Sequence, residues 1–233
     1  MLHLSSSIRY VKAFETARIP EDHVRSAPTL KRDFFERPTD VVARDLLGKI
    51  LVRREGDRLI SGRIVEVEAY FGPGDPGSHA RNGPTPRSIV MFGPPGHAYV
   101  YFCYGMHYLF NIVTEPEGTA GAVLVRALEP LTGIDIMVTR RGTKDVRALC
   151  SGPARLTQAL DIDLTHNSLP LEPEFGLYVA DDGYNVVDVI RTPRIGIPVH
   201  PDDMYRFIVA DSPFVSARTH GATQRNSERR YAR

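Results

Sequence analysis

Apolar and polar residues alternate along much of this chain in short runs, the two-residue period of strands rather than the 3.6-residue period of helices. "KILVRRE" (49–55) and "LISGRIVEVEAY" (59–70) read as strands joined by a turn at "GDR". "AYVYFCY" (98–104) and "LFNIV" (109–113) read as two more, joined tightly at "GMH", and "GAVLVRALEP" (121–130) as a fifth. "GLYVADD" (176–182), "YNVVDVIRTPRIGI" (184–197) and "RFIVADSP" (206–213) close the chain as strands. Helical signals are fewer. "VVARDLL" (41–47) has Thr39 or Asp40 as N-cap and Gly48 as its stop. "LTGIDIMVTRR" (131–141) is a second helix, and "SGPARLTQAL" (151–160) a third, with Ser151 as N-cap and Pro153 in the first turn. Between strands lies a Gly/Pro-rich stretch at 71–88, with a second cluster at 93–96, long enough to be either functional or disordered. No internal repeat is visible. The pattern predicts an α+β fold: a single domain with a mostly antiparallel or mixed β-sheet core, surrounding helices and a protruding β-hairpin. We expect a flexible or loosely docked arm at 1–29, the domain at 30–217 and an Arg-rich tail at 218–233.

Composition narrows the class. With 233 residues, 42% hydrophobic and 24% charged, the chain is long enough for a sizeable core and ordinary for a soluble protein. No long apolar run predicts a membrane span and no secretory signal is evident. The two cysteines, Cys103 and Cys150, make neither a disulfide framework nor a Cys-x-x-Cys pair, which fits a reducing cytoplasm. No recognisable ligand spacing calls for a metal, and no cofactor is expected. The formal net charge of +1 does not announce a polyanion partner; its distribution says more. Twenty-five of 29 basic residues are Arg, the better phosphate fork, although a GC-rich genome gives the same bias. The tail from Arg218 has five Arg against one Glu, and Pro76 to Thr114 contains no Asp, Glu or Lys. Phosphates favour such acid-free surfaces.

Several residues could carry chemistry. In "RIVEVEAY" alternation turns Val65, Val67 and Ala69 to the core and Glu66, Glu68 and Tyr70 to the other face. Two carboxylates roughly 7 Å apart can supply a general base if half-buried, or form an ordinary solvated face. His79 in "DPGSHARNGPTPR" is a ligand contact or a surface histidine. Tyr99, Tyr101 and Cys103 share one strand face, and Tyr104 precedes Gly105 at the turn. Tyrosine is common in strands, but these rings can also stack on bases or wedge between them. Arg126, among apolar residues, needs a partner such as Glu68 or a substrate phosphate.

Taken together, "LLGKILVRR", "GRIVEVEAY", "HARNGPTPR", "MFGPPGHAYVYFCYGMHYLFNIV", "GAVLVRALEP" and "CSGPARLTQAL" resemble, in order and spacing, the alkyladenine (3-methyladenine) DNA glycosylase family in its bacterial form. The resemblance runs from about Leu30 to about Ser216. It implies a monomeric enzyme whose partner is duplex DNA containing damaged purines, which it flips out and releases by hydrolysing the N-glycosylic bond. It places the catalytic carboxylate at Glu68 and a nucleophilic water between Glu68, Arg126 and the carbonyl of Ile195. Tyr70, Tyr101 and His79 enclose the base, Asn111 helps reject guanine, and Tyr104 wedges into the duplex. A cationic alkylpurine between two tyrosines would gain about 1–2 kcal/mol of cation–π attraction. The four lysines lie outside the site residues, so no Schiff-base lyase step is expected. The competing expectation is a non-catalytic nucleic-acid binding module built on the aromatic hairpin.

Overall fold

The computed structural model describes residues 19–103, 105–197, 203–216 and 224–225, and within them the alternating runs become nine strands of one sheet with six α-helices around it. The strands are β1 (Ile50–Glu55), β2 (Arg58–Phe71), β3 (Ala98–Cys103), β4 (His107–Val113), β5 (Gly121–Thr132), β6 (Leu177–Ala180), β7 (Val189–Thr192), β8 (Arg206–Val209) and β9 (Gln224–Arg225). They run in the order β3-β4-β5-β2-β8-β7-β9. β5 pairs along the length of β2; β1 joins its first half and β8 its second, and β6 lies beyond β1. Every pairing is antiparallel.

The helices are α1 (Glu21–Ser26), α2 (Arg32–Phe35), α3 (Thr39–Leu46), α4 (Ile134–Arg141), α5 (Val146–Leu149) and α6 (Pro153–Leu160). Two expected caps differ. Thr39 lies inside α3, and the carboxylate of Glu115, 76 residues away, accepts from its N–H (2.7 Å) and its hydroxyl (2.8 Å). The first orphan donor of the helix, the Thr39 N–H, is thus satisfied by tertiary structure rather than by a local side chain. At α6 the boundary residue is Gly152, and the Ser151 hydroxyl instead accepts from Arg155 (3.1 Å). Pro153 opens the helix as expected. Leu131 and Thr132 extend β5, because Gly133 at φ 66° breaks the chain before α4 begins. Of "YNVVDVIRTPRIGI" only Val189–Thr192 is strand. Ahead of residue 30, α1 packs on the sheet through Val24, buried with Ile50, Val52, Leu59 and Tyr178.

Alternation along four neighbouring strands divides core from site. Val67 and Ala69 on β2, Ala98 and Val100 on β3, Phe110 and Ile112 on β4, and Val123 and Val125 on β5 enter the main core, with Leu46 of α3 and Leu156 and Leu160 of α6. Their alternates, Tyr70, Tyr99, Tyr101, Leu109, Asn111, Leu124 and Arg126, line a cavity instead. Each fully buried large apolar side chain contributes about 1.5–3 kcal/mol, so the core fixes which face is left for chemistry. Val65 departs from the expected face. The register slips between Ile64 and Val67, and Val65 packs with Ala127 and Phe214 in a separate small cluster, away from Val67 and Ala69.

Candidate active site

The cavity, about 440 Å³, has its floor on β2–β5 and its rim on the 71–97 stretch and the segment around Ile195. It falls in the range of roughly 300–1,000 Å³ typical of small-molecule sites. Among the described residues no carboxylate lines it directly. Glu68 lies fully buried beneath, and the three described groups that hydrogen-bond its carboxylate all line the cavity. The Tyr70 hydroxyl donates to Oε2 at 2.8 Å, Arg126 Nη1 to Oε2 at 3.1 Å, and the Ile195 N–H to Oε1 at 2.7 Å. A carboxylate offers about four acceptor positions, and these described donors take three of them.

Glu66 is equally buried but differently occupied. Arg126 Nε (3.0 Å), Arg206 Nε (2.8 Å), and the N–H (2.5 Å) and hydroxyl (2.8 Å) of Ser216 all donate to it. The paired glutamates of β2 therefore face neither water nor each other alone: Arg126 bridges them. Burial works against the charge on Arg126, but Glu68 and Glu66 outweigh it and raise its pKa. Burial and then Glu68 push the Tyr70 hydroxyl far up, so Tyr70 remains a donor to Glu68.

The aromatic walls are Tyr70 and Tyr101, both half-buried. Behind Tyr70 the guanidinium of Arg194 lies 4.6 Å from the ring centre. Arg194 is itself buried in a two-pronged pair with Asp75 (2.6 and 2.7 Å) and donates to the Ala69 carbonyl (2.9 Å). Asp75 also accepts from the N–H groups of Phe71 and Gly77. This clamp orders the start of the Gly/Pro-rich loop and holds Ile195, the next residue, against Glu68. Despite burial, Arg194 draws the Asp75 carboxyl below its ordinary pKa. A Cβ on Gly77 would lie 3.0 Å from both Arg194 Nη2 and Ile197 Cγ2, so any larger residue there would push on the clamp.

His79 is half-buried, with Nδ1 2.9 Å from the Tyr99 hydroxyl and its ring edge-on to Tyr101 at 4.7 Å. Burial, followed by Arg87 and Arg81, lowers its pKa to about 4, so it is neutral at pH 7 with Nε2 left for a ligand. Asn111 is buried and pinned through Nδ2 to the Tyr99 carbonyl (3.1 Å). Glu68, Tyr70, His79, Tyr101, Asn111, Arg126 and Ile195 thus converge on one cavity, Glu68 from beneath it. For Ile195 the group on Glu68 is the N–H. Tyr104 lies outside the described residues; beside it on the hairpin, Phe102 and Met106 are exposed.

The family resemblance gave Tyr99 no role, yet its hydroxyl orients His79. It also missed Arg194, Asp75, Arg206 and Ser216. Arg194, a lone charge in "TPRIGI", carried the same signal as Arg126, a cation among apolar neighbours.

Comparison with known proteins bears on this constellation. Residues 33–213 match the family described as methylpurine-DNA glycosylase (MPG). A Koribacter versatilis protein named "Putative 3-methyladenine DNA glycosylase" is 45% identical over 204 residues, 86% of this chain and 99% of its own. Proteins of the same name from Carboxydothermus hydrogenoformans (52% over 189 residues, 80% of this chain and 98% of that one) and Chlorobaculum parvum (49% over 208 residues, 88% and 98%) are similarly related. With most of its length and every group of the cavity floor inside the matched span, the chain belongs to the methylpurine-DNA glycosylase family.

Proposed function

We propose that this protein is a DNA repair glycosylase that draws a damaged purine nucleotide out of duplex DNA into the cavity and hydrolyses its N-glycosylic bond. The observation that carries this reading is Glu68, a buried carboxylate held by three donors that all line the cavity. The base lies between Tyr70 and Tyr101, with His79 Nε2 on its edge and Asn111 placed against the 2-amino group of an undamaged guanine. Extrusion costs a few kcal/mol, least for a damaged base. Tyr104, at the hairpin between β3 and β4, takes the vacated place in the stack.

In the reaction Glu68 accepts a proton from a water while the water oxygen bonds to C1′ of the deoxyribose. The C1′–N bond breaks, its electron pair leaves with the purine, and the products are the free base and an abasic site. The buried carboxylate also stabilises positive charge on the sugar as the bond lengthens. Arg126 and the Ile195 N–H hold the Glu68 carboxylate in place and oriented. Among the described residues no lysine lines the cavity to supply the amine that a lyase step needs, and the enzyme is monofunctional. The protein acts, as a monomer, on duplex DNA carrying alkylated or deaminated purines. A purely binding module would have no use for a buried carboxylate beneath its base site.

The test is base release from duplexes carrying 3-methyladenine, 7-methylguanine, hypoxanthine or ethenoadenine. Glu68→Gln keeps the size and most hydrogen bonds and should lower release by about a hundredfold or more, with lesion-DNA binding retained. Undiminished release by that variant sinks the assignment. Tyr104→Ala should slow release from paired lesions more than from the same lesions in a bulge.

A further inference from the structure

The two aromatic walls of the cavity are not equivalent. The Tyr101 hydroxyl forms no hydrogen bond among the described residues. The Tyr70 hydroxyl donates to Glu68 Oε2 at 2.8 Å, and among the described residues Glu68 is its only acceptor. Tyr70 follows Glu68 by two positions on β2, so one strand presents both on the same side. A tyrosine oxygen lies on the Cβ–Cγ axis, so turning the ring about that axis does not move it. The bond to Glu68 therefore fixes where the Tyr70 ring stands. Arg194, 4.6 Å from the ring centre, covers one face and fixes its plane. The same bond acts on the carboxylate. Oε2 accepts from Tyr70 and Arg126, and Oε1 from the Ile195 N–H. Arg126 also donates to Glu66, so without the hydroxyl Oε2 depends on a guanidinium that a second carboxylate holds as well. Burial and then Glu68 keep the hydroxyl protonated, so it stays a donor at neutral pH.

We infer that Tyr70 has two separable roles: its ring is a wall of the base site, and its hydroxyl is a positioning group that holds Glu68 Oε2 for the hydrolytic step. Stacking and chemistry are thereby coupled through one side chain. A base seated flat on the ring leaves the hydrogen bond in place; one that displaces the ring breaks it. This rests on the reading of the cavity as the base site, and extends it from what the walls bind to what one of them does to the carboxylate. Because the hydroxyl acts on Glu68 and not on the base, its effect is the same for every purine released.

The experiment separates binding from chemistry. The parent, Tyr70→Phe and Tyr70→Leu are compared on duplexes carrying 7-methylguanine or hypoxanthine, by dissociation constant and by single-turnover release at saturating protein. Tyr70→Phe keeps the ring and removes only the hydroxyl. Its affinity should stay within about twofold of the parent while release slows roughly tenfold on both bases, the scale of one hydrogen bond to a charged group. Tyr70→Leu removes ring and hydroxyl together and should lose affinity as well as rate. Release by Tyr70→Phe at the parent rate overturns the inference. So does a loss of affinity in Tyr70→Phe as large as that of Tyr70→Leu, which would make the hydroxyl a support of the wall alone, or a slowing confined to one of the two bases. In each of those cases release by the parent leaves the base-site reading standing; no release of either base by the parent overturns both.

Discussion

Glu66 and Glu68 sit two residues apart on one strand, both fully buried, and differ in what surrounds them. Glu66 joins β2 to β5, β8 and Ser216, so its role is to hold the network together. Glu66→Gln removes one of the two carboxylates of Arg126 and the Glu66 pair of Arg206, and should cost about 3 kcal/mol in urea unfolding. A change below about 0.5 kcal/mol, the scale of neutral surface substitutions, would mean the network does not stabilise the fold. His79 gives a second residue-scale expectation. Its pKa is lowered from 6.5 to about 4 by burial and then by Arg87 and Arg81, so between those values the unfolded chain takes up a proton that the folded one refuses. Stability therefore rises with pH across that window and is lost as pH falls through it. The thermal midpoint of His79→Gln should be measurably less pH-dependent there than that of the parent; an identical slope would place the titration elsewhere.

The decisive element is the 71–97 stretch, the part with least periodicity. Its order comes from Asp75, which accepts from Arg194 and from two backbone N–H groups of its own loop. The partner is 119 residues away, so loop and β7 exit are locked together, and Tyr70 and Ile195 are set on either side of Glu68. Asp75→Asn breaks a buried pair, costing about 3 kcal/mol of stability. It should also slow base release at temperatures where the variant is still folded, because the donors to Glu68 lose their support. Release at the parent rate in the folded variant would show that the clamp serves the fold alone. The hairpin β3–β4 is simpler: Gly105 at φ 70° allows the tight turn, and the exposed Phe102 and Met106 flank it.

Over the whole molecule, the acid-free span of residues 76–114 surrounds the cavity mouth while the net charge stays near zero. Affinity for duplex DNA should therefore fall steeply with salt, linearly on a log–log plot. A flat plot would remove phosphate contacts from the account. Acid stability follows from two paired carboxylates. Arg63 holds Asp182 well below its ordinary pKa, and Arg194 does the same for Asp75 against the effect of burial. Depressed carboxyl pKa values mean stability that is present above the ordinary value of about 4 and lost as pH falls below it. Charge-neutral variants at Asp182 should show a shallower acid transition in a denaturation titration.

What the sequence by itself determined was local. The two-residue period located β1 to β5, because pleat alternation is a property of neighbouring residues and survives without a partner. The ordered motifs from Leu30 onward identified the family and assembled Glu68, Tyr70, His79, Tyr101, Asn111 and Arg126 into one set. Tertiary structure alone decided the rest. Whether a carboxylate acts as brace or base depends on which donors are buried with it, and those of Glu66 come from positions up to 150 residues away. The same reason hid Glu115 as the cap of α3, Arg194 as the support of Tyr70, and the slip that sends Val65 out of step. Hydrogen bonds and ion pairs across such distances leave no period in the chain; they exist only once burial has removed water as the competing partner.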